Sequence, residues 1–168
     1  MRCVEGALGD AGPRRRALEL GCGTGFVTRG LFDSGAVSLA ACSDVSPEAS
    51  AESRERFRGT PLEPVVCDAA EAFRPGAFDA IYFNPPYLQC EPEEDPTVCG
   101  GEGAEVPLWF LESARRALAG GGRIYALVGR DSEGRLLEAA RRLGLVGGER
   151  CRLGLFFEEL VVLELLAP

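Results

Sequence analysis

The 168 residues include no histidine and no lysine; all 18 basic residues are arginine. Without histidine, Ser-His-Asp and Cys-His catalysis are excluded, and so is the commonest metal ligand. The seven cysteines, at positions 3, 22, 42, 67, 90, 99 and 151, form no Cys-x-x-Cys pair. Zinc therefore has neither its thiolate spacing nor its imidazoles, and no metal site is expected. Cys42 and Cys67 lie in apolar runs and read as core residues, whereas Cys90 and Cys99 bracket one loop and could pair. No apolar run approaches ~18 residues, so no membrane span is expected. The first residues lack a basic flank followed by an apolar stretch, which argues against a secretory signal. With 46% hydrophobic and 26% charged residues, the composition is globular. The expectation is one soluble, cytoplasmic domain over 1–168. A formal charge of −8 makes the surface a poor match for nucleic acid.

Short β-like runs alternate with longer helical stretches. Strands are expected at Ala17–Leu20, Ser38–Ser43, Leu62–Cys67, Phe78–Phe83, Arg123–Val128, Arg150–Phe156 and Leu160–Leu166. Helices are expected from Phe26 to Phe32, after an N-cap at Ser46 with Pro47 at the first helical position, over Val106–Ala119, and over Ser132–Leu143. The run Gly120-Gly121-Gly122 and Gly144 supply helix stops. The last two strands are close enough to form an antiparallel hairpin. The pattern predicts a three-layer α/β fold, mostly parallel, with helices on both sheet faces.

The sharpest signal is Leu18-Glu19-Leu20-Gly21-Cys22-Gly23-Thr24-Gly25 at a strand-to-helix junction. A dinucleotide fingerprint needs glycine at its sixth position, where this chain has Phe26. The acidic-x-Gly-x-Gly-x-Gly pattern instead resembles the S-adenosylmethionine loop of class I methyltransferases. Glycines let backbone lie against a ligand where a Cβ would collide. The resemblance implies a Rossmann-like, seven-stranded fold. It also puts Glu19 near a cofactor that carries an ammonium and a sulfonium. Asp44 ends the second strand, where an acidic residue accepts ribose hydroxyls. Asp68 ends the third and, as the family pattern implies, accepts from the adenine amino group. The resemblance adds Cys22, Val45, Ala69 and Asn84 to Gly21, Gly23 and Gly25 as cofactor contacts. A plain glycine turn, and aspartates acting only as caps, are the alternatives.

Ile81-Tyr82-Phe83-Asn84-Pro85-Pro86-Tyr87 ends the fourth strand. It is similar to the Asn-Pro-Pro-Tyr motif of methyltransferases that modify a planar nitrogen. A conjugated NH₂ has its lone pair tied into resonance and is a weak nucleophile. The Asn84 side-chain oxygen and the Pro85 carbonyl can each accept one N–H, which aligns the nitrogen with the sulfonium methyl. Pro85 and Pro86 restrict the backbone that aims this carbonyl. Tyr87 offers a flat face for stacking. No histidine is needed, because positioning can supply up to ~7–11 kcal/mol of a bimolecular barrier.

From about Arg16 to Leu166 the chain resembles the eukaryotic and archaeal branch of HemK-like protein-(glutamine-N5) methyltransferases. Gly100-Gly101, the helix with Trp109-Phe110 and the closing hairpin at Glu159-Leu160 carry the likeness outside the two motifs. It implies methylation of the Gly-Gly-Gln glutamine of a class 1 peptide-chain release factor. It further implies a small zinc-binding activator protein docked on the third strand, an edge strand in this topology. Glu91, Glu93, Glu94, Asp95, Glu102 and Glu105 follow the catalytic motif and would repel phosphates while attracting a basic protein. An N6-adenine methyltransferase and a non-catalytic cofactor-binding remnant are the competing readings. The family's cofactor-covering segment before the first strand has no counterpart in Met1–Pro13, and is expected to be short or missing.

Overall fold

The computed structural model describes residues 16–86, 104–154 and 159–168. Five strands run in parallel: β1 (Arg16–Leu20), β2 (Leu39–Asp44), β3 (Leu62–Val66), β4 (Phe78–Phe83) and β5 (Leu118–Gly129). The remaining two, β6 (Val146–Gly154) and β7 (Glu159–Leu166), form an antiparallel pair. Strand β7 lies between β5 and β6, giving the order β3-β2-β1-β4-β5-β7-β6. This is the class I methyltransferase topology expected from the sequence, with β3 at one edge.

Helices α1 (Phe26–Asp33) and α2 (Pro47–Arg56) cover one face, and α3 (Glu105–Ala117) and α4 (Arg130–Arg142) the other. Strand alternation sorts the side chains between them. Leu18, Leu20, Ile81, Ile124, Leu163 and Leu165 point to α3 and α4, where Leu111 and Leu136 meet them. Ala17, Cys42, Ala80, Tyr82 and Tyr125 point to the opposite cluster, which holds Leu31 and Phe57. Each fully buried leucine contributes about 1.5–3 kcal/mol of transfer free energy. Among the described residues no helix is long and apolar enough to cross a membrane.

The boundaries differ most from the sequence expectation at two places. Helix α3 ends at Ala117, because Leu118 is already extended and pairs with Phe78. The glycine run then loops out of register, with Gly121 donating to the Ala167 carbonyl and Ala167 to that of Gly122. Strand β6 begins four residues early, at Val146, and carries a bulge between Glu149 and Cys151. Its Val-Gly-Gly-Glu-Arg start has little β propensity and is held by pairing with β7. Cys22, Cys42 and Cys67 are free thiols, while Cys151 is in a disulfide. Cys90 and Cys99 lie outside the described residues.

Candidate functional site

Parallel pairing puts the C-terminal ends of β1, β2, β3 and β4 on one rim, where open α/β sheets bind ligands. Leu20 is in register with both Ser43 and Phe83. The residues that follow, Gly21, Asp44 and Asn84, therefore emerge side by side. The Asp44 carboxylate bridges two loops: one oxygen accepts from the Gly23 N–H at 2.8 Å and the other from Ser46 N–H at 2.9 Å. Each oxygen keeps further acceptor capacity. Ser46 caps α2 as expected, its hydroxyl accepting from Ala49 N–H at 3.0 Å.

The glycine loop has a more structural basis than its sequence suggests. A Cβ on Gly21 would come within 3.0 Å of the Phe110 ring of α3. One on Gly25 would lie 2.3 Å from the Phe57 ring beside α2. Only at Gly23 is the surrounding space open. Two of the three glycines thus let the loop sit down onto packed aromatics, rather than clearing room for a ligand. The expected Cys22 contact is limited to backbone. Its side chain is buried, and contact with the Cys42 thiol followed by burial pushes its thiol up, away from the reactive range.

Glu19 has a local partner that the sequence does not reveal. Helix α1 has Gly25 as N-cap and no side-chain cap, leaving the first N–H groups unsatisfied. The Glu19 carboxylate, only 5% exposed, accepts from Thr28 N–H at 2.9 Å and also from the Thr28 hydroxyl. With Glu19 ionised, the Tyr82 hydroxyl donates to Thr28 Oγ1 across 3.1 Å, joining β4 to this network. Burial pushes the Glu19 carboxyl up to about 7, against the lowering effect of Thr28 and with a small push from Asp44. The folded state therefore holds this proton more tightly than the unfolded chain does between about pH 4.5 and 7. The resulting stability is full below that window and is lost as pH rises through it. Relative to Glu19→Gln, which cannot ionise, the wild type is expected to lose up to roughly 3 kcal/mol between pH 4.5 and 8. Urea midpoints of both proteins across this range check it; parallel pH curves would contradict it.

Asn84 is exposed at the end of β4, Pro85 is buried and Pro86 half-buried; Tyr87 lies outside the described residues. Beneath Asn84 is a cavity of about 100 Å³, lined by apolar side chains that include Val27, Leu127 and Val162 and by Glu19 and Tyr82. Val45 is 67% exposed beside Asp44. Asp68 is exposed on the same rim, and the Trp109 indole N–H donates to its Oδ1 at 3.0 Å. Ala69, next to it, is buried in a left-handed backbone conformation, φ 41°. The expected site residues within the described segments thus all lie at the C-terminal ends of β1 to β4; Val45, Asp68 and Asn84 are exposed there, Asp44 is half-buried, and the side chains of Glu19, Cys22 and Ala69 are buried. Thr28 and Trp109 are the members whose contacts sequence reasoning missed. Thr28 had a possible signal, three residues past the loop, at the helix position whose N–H needs an acceptor.

The donor set fits S-adenosylmethionine: carboxylates at the ends of β3 and β2, a tight glycine loop after β1 next to the second of them, and an exposed amide at the end of β4 on the loop's other side. A family model described as a methyltransferase domain matches residues 18–126. The mouse protein named methyltransferase HEMK2 is 32% identical over 135 residues, 73% of this chain and 63% of the mouse protein. The chain thus spans less than two thirds of that relative. A tRNA1(Val) (adenine(37)-N6)-methyltransferase from a Flavobacteriaceae bacterium (strain 3519-10) is 31% identical over 93 residues, 53% of this chain and 40% of that protein. The solved E. cuniculi Mtq2-Trm112 complex, described as responsible for methylating the eRF1 translation termination factor, superposes with a TM-score of 0.78. It is 22% identical, and the match covers 99% of this chain and 94% of that one, a likeness of fold.

Proposed function

From a chain that belongs to the methyltransferase-domain family, with S-adenosylmethionine as the cofactor this family implies, we propose methyl transfer to the glutamine side-chain amide of a Gly-Gly-Gln release-factor motif. The observation that carries the reading is Asn84, exposed at the end of β4 and followed by the buried Pro85, next to the glycine loop of β1 with Asp44 on the loop's far side. The Asn84 oxygen and the Pro85 carbonyl accept the two amide N–H bonds and hold the nitrogen toward the sulfonium. The N–C bond forms as the S–C bond breaks, and the nitrogen's proton leaves to solvent. The bound cofactor supplies the activated methyl group; the chain supplies orientation and fixed dipoles. Likeness to HEMK2 and to the Mtq2 fold supports the protein acceptor, as does the chain's acidity. A termination-factor substrate would be met in the cytoplasm, the location this reading proposes. Likeness to the bacterial tRNA enzyme supports adenine as the second reading. Labelled-methyl transfer to release factor, to its Gln→Ala variant and to unmethylated RNA and DNA separates the two. Label on the intact release factor alone is the expected result; label on nucleic acid alone would overturn the proposal.

A small zinc-binding activator of the Trm112 kind is proposed on the free edge of β3. The edge is short and blunted: Pro64 cannot donate, and Arg54 Nη2 reaches the Pro64 carbonyl at 3.3 Å. Val66, 50% exposed, and not the half-buried Val65, is its most open apolar residue. Co-expression with a Trm112 protein is expected to raise soluble yield and cofactor affinity, and Val66→Lys to reverse the gain. Unchanged yield and affinity would remove the partner.

A further inference from the structure

Helix α3 carries three polar or amphipathic side chains at a spacing that puts them on one stripe: Trp109, Ser113 and Arg116, at i, i+4 and i+7. All three reach the loop that follows β3. The Trp109 indole donates to Asp68, and Ser113 Oγ accepts from Ala70 N–H at 2.9 Å. Arg116 donates to the carbonyls of Ala70 at 2.6 Å and Phe73 at 3.0 Å, and pairs with Glu71 at 3.2 Å. A single helical face thus fixes residues 68–73 from end to end. The need for it is visible in Ala69, whose left-handed backbone costs about 1–2 kcal/mol in a non-glycine residue.

The lower two contacts are buried or half-buried and hold backbone. Trp109 differs, because it is 39% exposed and grips a functional carboxylate. We propose that Trp109 is a cofactor-positioning residue: its indole N–H fixes the Asp68 carboxylate so that the free oxygen accepts the adenine amino group. The inference rests on the reading of Asp68 as the adenine acceptor. An exposed aspartate would otherwise sample several rotamers, and each would have to be given up on binding. Indole nitrogen is a donor only, so it takes one carboxylate oxygen and leaves the other for the ligand. It therefore acts on the cofactor through Asp68. The arrangement favours a 6-amino group over a 6-oxo group, whose oxygen would face a carboxylate oxygen.

The experiment uses the full chain with S-adenosylhomocysteine and its inosine analogue, titrated calorimetrically against wild type, Trp109→Phe and Asp68→Ala. Trp109→Phe is expected to lose roughly fivefold to tenfold in affinity for the adenine ligand. Affinity for the inosine ligand changes little, so discrimination falls while the melting temperature holds. Trp109 is the only tryptophan in the chain, so wild-type emission is expected to shift on saturation with S-adenosylhomocysteine. Unchanged discrimination in Trp109→Phe, with discrimination lost in Asp68→Ala, would overturn the role of Trp109 alone. Intact adenine preference in Asp68→Ala would overturn the Asp68 reading and the inference with it. A melting-temperature loss with unchanged discrimination would mark Trp109 as merely structural and overturn the proposal.

Discussion

Asn84→Ala is expected to lower the rate of methyl transfer about 10²–10³-fold, equivalent to ~2.7–4 kcal/mol, with affinity for S-adenosylmethionine nearly unchanged. In the proposed reading the asparagine holds the acceptor nitrogen, whereas ribose and adenine are assigned to Asp44 and Asp68 at the ends of β2 and β3. Its loss removes a preorganised acceptor from a nitrogen whose charge changes along the reaction. Asn84 is exposed and ends a strand, so alanine leaves the core intact. Single-turnover rates and calorimetric cofactor binding, measured on the same preparations, check the two halves separately. Near-normal turnover would remove Asn84 from the chemistry. A matching loss of cofactor affinity would make it a binding residue instead.

Gly25→Ala is expected to destabilise the fold by about 2–5 kcal/mol. Left-handed backbone in a non-glycine residue costs about 1–2 kcal/mol. Overpacking adds about 1–3 kcal/mol, because the new Cβ would stand 2.3 Å from the Phe57 ring at a site where φ is 70°. Phe57 is buried in the α1–α2 cluster, so moving its ring would disturb that packing. Gly35 is the matched control: its φ is 76°, but nothing lies within 4 Å of a Cβ there. Gly35→Ala therefore carries only the backbone cost. Equal shifts in urea midpoint for the two variants would show that contact with Phe57 does not constrain the loop.

The sequence made the layered α/β fold legible because most strands are β-branched or aliphatic runs bounded by turn residues. The Ser46-Pro47 cap and the Gly144 stop also read true, since each is a local event with a local signal. Strand β6 starts earlier than its sequence suggests because Gly147-Gly148 has little strand propensity; its partner β7 supplies the pairing. The end of α3 was misplaced for the same reason, since Leu118 extends to pair with Phe78 forty residues earlier in the chain. In the site, the rim positions of Asp44, Asp68 and Asn84 followed from their places at strand ends. What the glycines pack against did not, because Phe57 and Phe110 are distant in sequence. Beyond the Thr28 N–H that needs an acceptor, the Glu19–Thr28–Tyr82 network was out of reach, for it joins three separate elements.

The most direct test of the central claim is the chemical identity of the product. Release factor incubated with the enzyme and S-adenosylmethionine, digested and sequenced by tandem mass spectrometry, is expected to carry one added methyl on the glutamine of Gly-Gly-Gln, as N5-methylglutamine. The mark should form about 10²–10³-fold more slowly when Asn84→Ala replaces the wild type. A methyl group on any other residue, or an unmodified release factor alongside N6-methyladenine in added nucleic acid, would contradict it.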